Sequence, residues 1–209
     1  MKCTVTENIK GVREERPIHL IRFTASEYFE YEPGDLIDIT IDSHPKRNRQ
    51  FSVAGDYPDS TKDLIVRDAG VVGHHLCTLQ PGDTFEAEFI GGMFHPEEES
   101  IWISSGSGLA PFRAALLTGK WSGVRYFCKL DAENELDEIA GPSGDIYCVY
   151  SHTYDDQKET LAAHIELMKD RPIFVCGSAR YVTEICSYLG DLNIDPMYIE
   201  TDMYGAATD

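Results

Sequence analysis

Arg49-Gln50-Phe51-Ser52 is the stretch on which this sequence turns, because three others follow it in a meaningful order. They are Gly70-Val71-Val72-Gly73-His74-His75-Leu76, Gly106-Ser107-Gly108-Leu109-Ala110-Pro111-Phe112 and Cys176-Gly177-Ser178. A planar guanidinium on a strand binds a phosphate through two parallel hydrogen bonds, which a lysine does less well. Alone, the tetrapeptide also reads as a surface arginine and a turn serine on an ordinary strand. The second stretch reads as a short helix start, whose free backbone N–H groups can hold an anion. The third follows the apolar strand Ile101-Trp102-Ile103-Ser104 and opens a helix. Its glycines let a backbone approach a pyrophosphate, and Pro111 suits a first helical turn, where its missing N–H costs nothing.

Working outward, the residues on either side of Arg49 read as β-structure. Alternation of apolar and polar residues marks Ile18–Phe23, Leu36–Ile41 and Thr84–Ile90 as strands. Two turns of the same kind, Glu32-Pro33-Gly34-Asp35 and Pro81-Gly82-Asp83, lead into the second and third of these. Many short strands without a long helix point to a closed barrel or a sandwich. Around Phe94-His95-Pro96-Glu97-Glu98-Glu99 the pattern changes, and this acidic, Pro-containing stretch reads as a linker. Beyond it strands and helices alternate: strands at 101–104, 124–128, 146–150, 173–176 and 197–200, helices at 110–117, 156–168 and 179–189. Such alternation implies a parallel sheet covered on both faces. Between the strands at 124–128 and 146–150, Glu133–Ile139 offers barely two turns of helix.

The chain has 209 residues, 42% of them hydrophobic, enough for one large domain or two small ones with a real core. A net charge of -18 argues against nucleic acid as a partner and against an acidic electron carrier docking anywhere on the surface. Lys46-Arg47-Asn48-Arg49 is a local basic exception. No apolar run is long enough to cross a bilayer, and Met1–Glu7 lacks the apolar block of a signal peptide, so the expected location is cytoplasmic and no membrane partner is expected. The six cysteines are scattered with no Cys-x-x-Cys pair, which disfavours a structural zinc or an iron–sulfur cluster. His74 and His75 are adjacent, so they face different directions on a helix, and no metal site is expected there either.

In their order, the four stretches resemble the ferredoxin–NADP reductase superfamily of two-domain flavoproteins. The resemblance implies an α+β two-domain fold: an antiparallel Greek-key β-barrel that binds flavin over residues 1–96, then an α/β parallel-sheet domain that binds NAD(P)H over residues 97–209. It implies a flavin-dependent oxidoreductase, with hydride passing from NADH or NADPH to FAD (or FMN) and electrons going on to an acceptor protein or to free flavin. Residue by residue, it assigns Arg49 to the flavin phosphate, Gln50 and Phe51 to the surface along the cofactor, and Ser52 to the ring nitrogen that accepts hydride. Gly70, Val72, Gly73 and His74 fall in the segment that holds the flavin phosphates, and Gly92, in Gly91-Gly92-Met93-Phe94, in the last barrel turn under the flavin. Gly106, Ser107, Gly108 and Pro111 match the family's nicotinamide-nucleotide turn, and Gly177 lets the dinucleotide approach. Cys176 corresponds to the cysteine near the reactive nicotinamide carbon. Glu200 is the candidate C-terminal acidic residue, with Asp202 competing, and Tyr204 the aromatic that stacks on the flavin. Ser52, Cys176 and Glu200 are thus the candidate catalytic residues.

The sequence also departs from the family pattern. Phe51 lacks the hydroxyl of the tyrosine often found there, and Gly73 stands where Ser or Thr is usual. Ser151-His152, with Lys158, occupies the place of the Ser-Arg pair that selects NADPH, and histidine is mostly neutral at pH 7. Cys128-Lys129 replaces an expected Gly-x-Arg. NADH and NADPH both remain open. These departures also leave open a degenerate fold that binds nucleotide or protein without redox turnover, and a reductase subunit of a larger oxygenase or dehydrogenase.

Overall fold

Pro-Gly-Asp turns of one design launch two strands of the N-terminal half. At the first, the Asp35 carboxylate accepts the Glu32 N–H at 2.8 Å while the Asp35 N–H donates to the Glu32 carbonyl at 2.9 Å. Asp83 and Gln80 repeat both bonds at 2.8 and 2.9 Å. The intervening Gly34 and Gly82 have φ of 104° and 96°, a left-handed region that side chains disfavour. The computed structural model describes residues 1–11, 17–41, 48–56, 61–118, 121–130 and 147–204. Lys46, Arg47 and the short helix expected over 133–139 lie outside the described residues.

Strands β1 (Lys2–Lys10), β2 (Ile18–Ala25), β3 (Leu36–Thr40), β4 (Asn48–Asp56), β5 (Thr61–Arg67) and β6 (Thr84–Gly91) form a closed antiparallel barrel in the order β1-β2-β5-β4-β3-β6. Alternation puts Ile21, Phe23, Ile37, Ile39, Val53 and Leu64 inside. Helix α1 (Gly70–Thr78) closes the barrel by adding Val72, Leu76 and Cys77 to that core. Its last carbonyls, which have no partner within the helix, are met by Asn8, whose amide donates to Leu79 O at 2.7 Å and Cys77 O at 3.3 Å.

The C-terminal half is a parallel sheet of β7 (Ile101–Ser105), β8 (Arg125–Lys129), β9 (Tyr147–Ser151), β10 (Ile173–Ser178) and β11 (Ile199–Tyr204), in the order β11-β10-β7-β8-β9. Helix α2 (Ala110–Thr118) follows β7, α3 (Tyr154–Ala163) and α4 (Ile165–Met168) follow β9, and α5 (Ala179–Asp191) follows β10. Ile101, Ile103, Phe127 and Val175 pack on one face against Leu161, Val182 and Ile185 of α3 and α5. The other face carries Trp102, Tyr126, Phe174 and Cys176 and shares one core with Phe112 of α2 and with Ile18, Leu20, Ala54 and Ile65 of the barrel.

Two expected elements differ. The helix expected over 156–168 starts at Tyr154, behind a capping box of Thr153 and Asp156, and is interrupted at His164. There the imidazole Nδ1 lies 2.8 Å from the Thr160 carbonyl and the ring packs on Phe127. The last strand begins at Ile199 instead of Met197, because Asp195 caps a short 3₁₀ turn over Pro196–Tyr198.

Candidate active site between barrel and sheet

A fault in the barrel ladder follows Ser52 directly. Along β4 two steps, Val53 to Gly55, match one step on β5, Leu64 to Asp63, so Ala54 is the extra residue of a β-bulge. Phe51 and Val53 point into the barrel core, and the intervening Ser52 side chain points outward and is nevertheless buried. On the facing side, β10 and β11 run parallel with Cys176 opposite Asp202 and Ser178 opposite Tyr204. The two halves meet at the Tyr204 hydroxyl, which lies 2.9 Å from Ser52 Oγ and 3.4 Å from Cys176 Sγ.

Burial favours the neutral forms of the titratable groups around the Tyr204 hydroxyl. Burial holds the Cys176 thiol well above the usual cysteine range, and the neighbouring Asp202 carboxylate, 3.8 Å away, adds to the effect. Burial likewise raises Asp202 and pushes the Tyr204 phenol far up. Cys176 is therefore a neutral thiol that packs and donates, and not a thiolate nucleophile. Glu200 shares the strand face of Asp202 but pairs in register with Phe174. Its carboxylate is raised by burial and then by Glu97, and receives the His95 backbone N–H. Asp202, not Glu200, is thus the acid against Cys176.

The chain order around the sheet reverses between β7 and β10, and at such a switch point the C-terminal strand ends diverge and leave a ligand crevice. Both glycine turns sit there. A Cβ at Gly108 would lie 2.3 Å from the Cys176 carbonyl oxygen, and one at Gly177 would lie 2.6 Å from the Tyr181 ring. Gly106, at φ 57°, lies beneath the Arg67 guanidinium. Gly106–Leu109 forms a 3₁₀ turn that runs directly into α2, where Pro111 is the second residue. Ser107 is half-buried in that turn.

The other expected residues lie on β4, on α1, just after β6 and at the end of β9. Arg49 is half-buried and opposite Ile39, and Gln50 is exposed opposite Asp38. Gly70, at φ 65°, opens α1, whose N-cap Ala69 offers no side-chain cap and whose first turn holds no acidic residue. Val72 is turned into the barrel core, and His74 is exposed with its Nδ1 2.8 Å from the Asp68 carboxylate. A Cβ at Gly73 would lie 2.7 Å from the Arg67 carbonyl oxygen, so the helix rests too close to β5 for a Ser or Thr. Gly92 is pressed on the Gly34 carbonyl, where a Cβ would come within 2.3 Å. Ser151 is buried at the end of β9, three strands from Cys176. Among the described residues no cluster of His, Cys, Asp and Glu is arranged to hold a metal, and no helix is long and apolar enough to cross a membrane.

Sequence reasoning did not single out Arg113. Its signal was a lone charge inside the apolar segment Ala110–Leu117. It is buried, and its Nη1 donates to Ala54 O and to Asp63 Oδ2, each at 2.9 Å.

No protein-family model matches the chain, and no curated protein matches it in sequence. Solved structures do match it along nearly its whole length. A ferredoxin-NADP+ reductase from Plasmodium falciparum superposes with a TM-score of 0.77 at 14% identity, covering 97% of this chain and 95% of that one. The flavohem-like FAD/NAD binding domain of nitric oxide dioxygenase from Vibrio cholerae O1 biovar El Tor gives a TM-score of 0.72 at 18% identity, covering 98% of each chain. A flavohemoglobin from Malassezia yamatoensis, with bound FAD and heme, gives 0.77 at 14% identity and covers 98% of this chain and 60% of that one. At these identities the likeness is one of fold, and the fold of this chain is the two-domain fold of the ferredoxin–NADP reductase superfamily.

Proposed function

We propose that the chain is a flavin-dependent oxidoreductase that takes hydride from NADH or NADPH and passes the electrons to an acceptor protein or to free flavin. The observation that carries this reading is the meeting of Ser52 and Cys176 at one aromatic hydroxyl. A planar ring, that of Tyr204, already reaches the point where the barrel and the sheet approach each other, so these residues fit a second planar ring there. A bound flavin, FAD or FMN, would supply the hydride acceptor and the one-electron chemistry.

The chain's own residues would bind and orient. Arg49 would hold phosphate through its planar guanidinium, and the N–H groups at the start of α1, where Ala69 offers no side-chain cap, would add to it. Ser52 would give its hydroxyl to the flavin ring once Tyr204 withdraws. Gly106, Ser107 and Gly108 would let the dinucleotide lie close to the end of β7, and Gly177 would do the same at β10. Cys176, neutral and buried, would pack against the nicotinamide without competing for its charge. Asp202 would offset the positive charge that grows on the nicotinamide as hydride leaves, with Glu200 further out along the strand. Holding donor and acceptor rings in contact supplies most of the rate. In this reading residues 1–96 carry the flavin and 97–209 the nicotinamide, and six free thiols fit a reducing compartment such as the cytoplasm.

The test is an absorbance spectrum of the protein mixed with FAD or FMN, followed by anaerobic mixing with NADH or NADPH. Bleaching of the flavin band faster than in flavin alone supports the reading. A protein that binds flavin or nicotinamide and never bleaches the band is a binding module instead.

A further inference from the structure

We propose that Arg113 is a positioning residue that sets Ser52 on the barrel against Cys176 on the sheet. The inference rests on the reductase reading for its consequence in catalysis, and on geometry alone for its effect on structure. Helix α2 follows directly on the Gly106–Leu109 turn, yet its fourth residue reaches to the barrel. The Arg113 guanidinium takes the carbonyl of Ala54, the bulged residue two positions after Ser52, at 2.9 Å. The same nitrogen meets Asp63 Oδ2 at 2.9 Å, and Asp63 is fully buried.

Asp63 is held in turn from the other side. Arg22 donates its Nε to Asp63 Oδ1 at 2.9 Å and its Nη1 to Glu7 at 2.8 Å, so an ion chain runs Glu7–Arg22–Asp63–Arg113 from the barrel surface to the domain junction. Gly55 makes room for it: a Cβ there would stand 2.6 Å from Arg113 Nη1 and 2.9 Å from Leu117 Cδ1. A bulge frees a carbonyl from the ladder, and a buried carbonyl needs a donor. Here that donor comes from the other domain, from the helix that the glycine turn opens. The buried pair is poor as a source of stability, because desolvation offsets much of its attraction. Its bonds are directional, however, and they fix where the Ser52 strand lies relative to the glycine turn and to Cys176, whose carbonyl that turn touches.

The experiment uses Arg113→Gln, Arg113→Lys and Gly55→Ala in the full chain, with two readouts. The first is the labelling rate of Cys176 by a thiol reagent, located by mass spectrometry and divided by that of Cys128. Both are buried on the same sheet face, but only Cys176 touches Tyr204 at the junction. General loosening speeds both equally; a displaced junction speeds Cys176 selectively. The expected result is a ratio raised several-fold in Arg113→Gln and in Gly55→Ala, and restored in part by Arg113→Lys. The second readout is flavin reduction: kcat should fall by on the order of a hundredfold in Arg113→Gln, with KM and the flavin Kd nearly unchanged. An unchanged labelling ratio in folded Arg113→Gln or Gly55→Ala overturns the positioning role. Absence of NAD(P)H oxidation by the unaltered protein sinks the reductase reading and leaves the labelling result to stand or fall by itself.

Discussion

The hydroxyl of Tyr204 lies 2.9 Å from Ser52 Oγ, across 152 positions of sequence, and so joins the last described residue to the barrel. Any ligand that needs the Ser52 hydroxyl must first displace it. Replacing Tyr204 by Ser removes the ring and is expected to lower the KM for NADH and NADPH several-fold, since the closed form reduces apparent affinity by the fraction of molecules that hold it. Steady-state kinetics at saturating flavin checks this. An unchanged KM with both nucleotides would show that Tyr204 stands outside the nucleotide path.

Gly73 occupies a position where the family pattern has a hydroxyl, so Gly73→Ser looks like a repair. The structure predicts the opposite. The new Cβ meets the Arg67 carbonyl oxygen at 2.7 Å, a rigid side-chain root against backbone. Overpacking of this kind costs about 1–3 kcal/mol. Thermal melting should fall by several degrees in Gly73→Ser, with no gain in flavin affinity by fluorescence titration.

Two acids on β11, Asp202 and Glu200, compete for the role beside the proposed nicotinamide site. Asp202 lies 3.8 Å from Cys176 Sγ, while Glu200 receives the His95 backbone N–H. Asp202→Asn is therefore expected to slow hydride transfer about tenfold, equivalent to about 1.4 kcal/mol of transition-state stabilisation. Glu200→Gln is expected to change it by less than about twofold, well under half of that energy. Stopped-flow flavin bleaching with each variant separates them, and the reverse order would return the role to Glu200.

Buried thiols make the protein sensitive to alkali. Burial pushes Cys3 and Cys77 up to about 12 and Cys128 to about 11, from an ordinary value of 9.0. Below that ordinary value both states are protonated and their contribution to stability is complete. As pH rises past it, the unfolded chain releases protons that the folded chain keeps, so the folded state holds more protons and stability falls. Tm should decline from about pH 9 to pH 11, less steeply in Cys3→Ala or Cys77→Ala than in the parent. A flat Tm over that range would contradict the burial of these thiols.

Much of this was legible in the sequence for physical reasons. Pro-Gly-Asp turns and alternating strands are local signals, and the glycine turn after Ile101–Ser104 declares both a strand end and a helix start. What escaped was set by tertiary contacts. The break at His164 has no proline or glycine to announce it; it depends on an imidazole packed on Phe127. That Asp202 and not Glu200 stands opposite Cys176 follows from the register of β10 against β11, which a sequence pattern does not fix. Gly73 read as a lost hydroxyl, although the space available beside Arg67 is what excludes a side chain. Arg113 was invisible because its partners, Ala54 and Asp63, lie far back in the chain on a bulge that no turn residue marks.

The apolar layer in which Ile18, Leu20, Ala54 and Ile65 interleave with Trp102, Phe112 and Phe174 belongs to neither half alone. A chimaera that grafts this barrel onto a foreign nucleotide domain would inherit one side of that layer with nothing cut to match it. The two halves of this chain are exchangeable only where this seam is redesigned together with them.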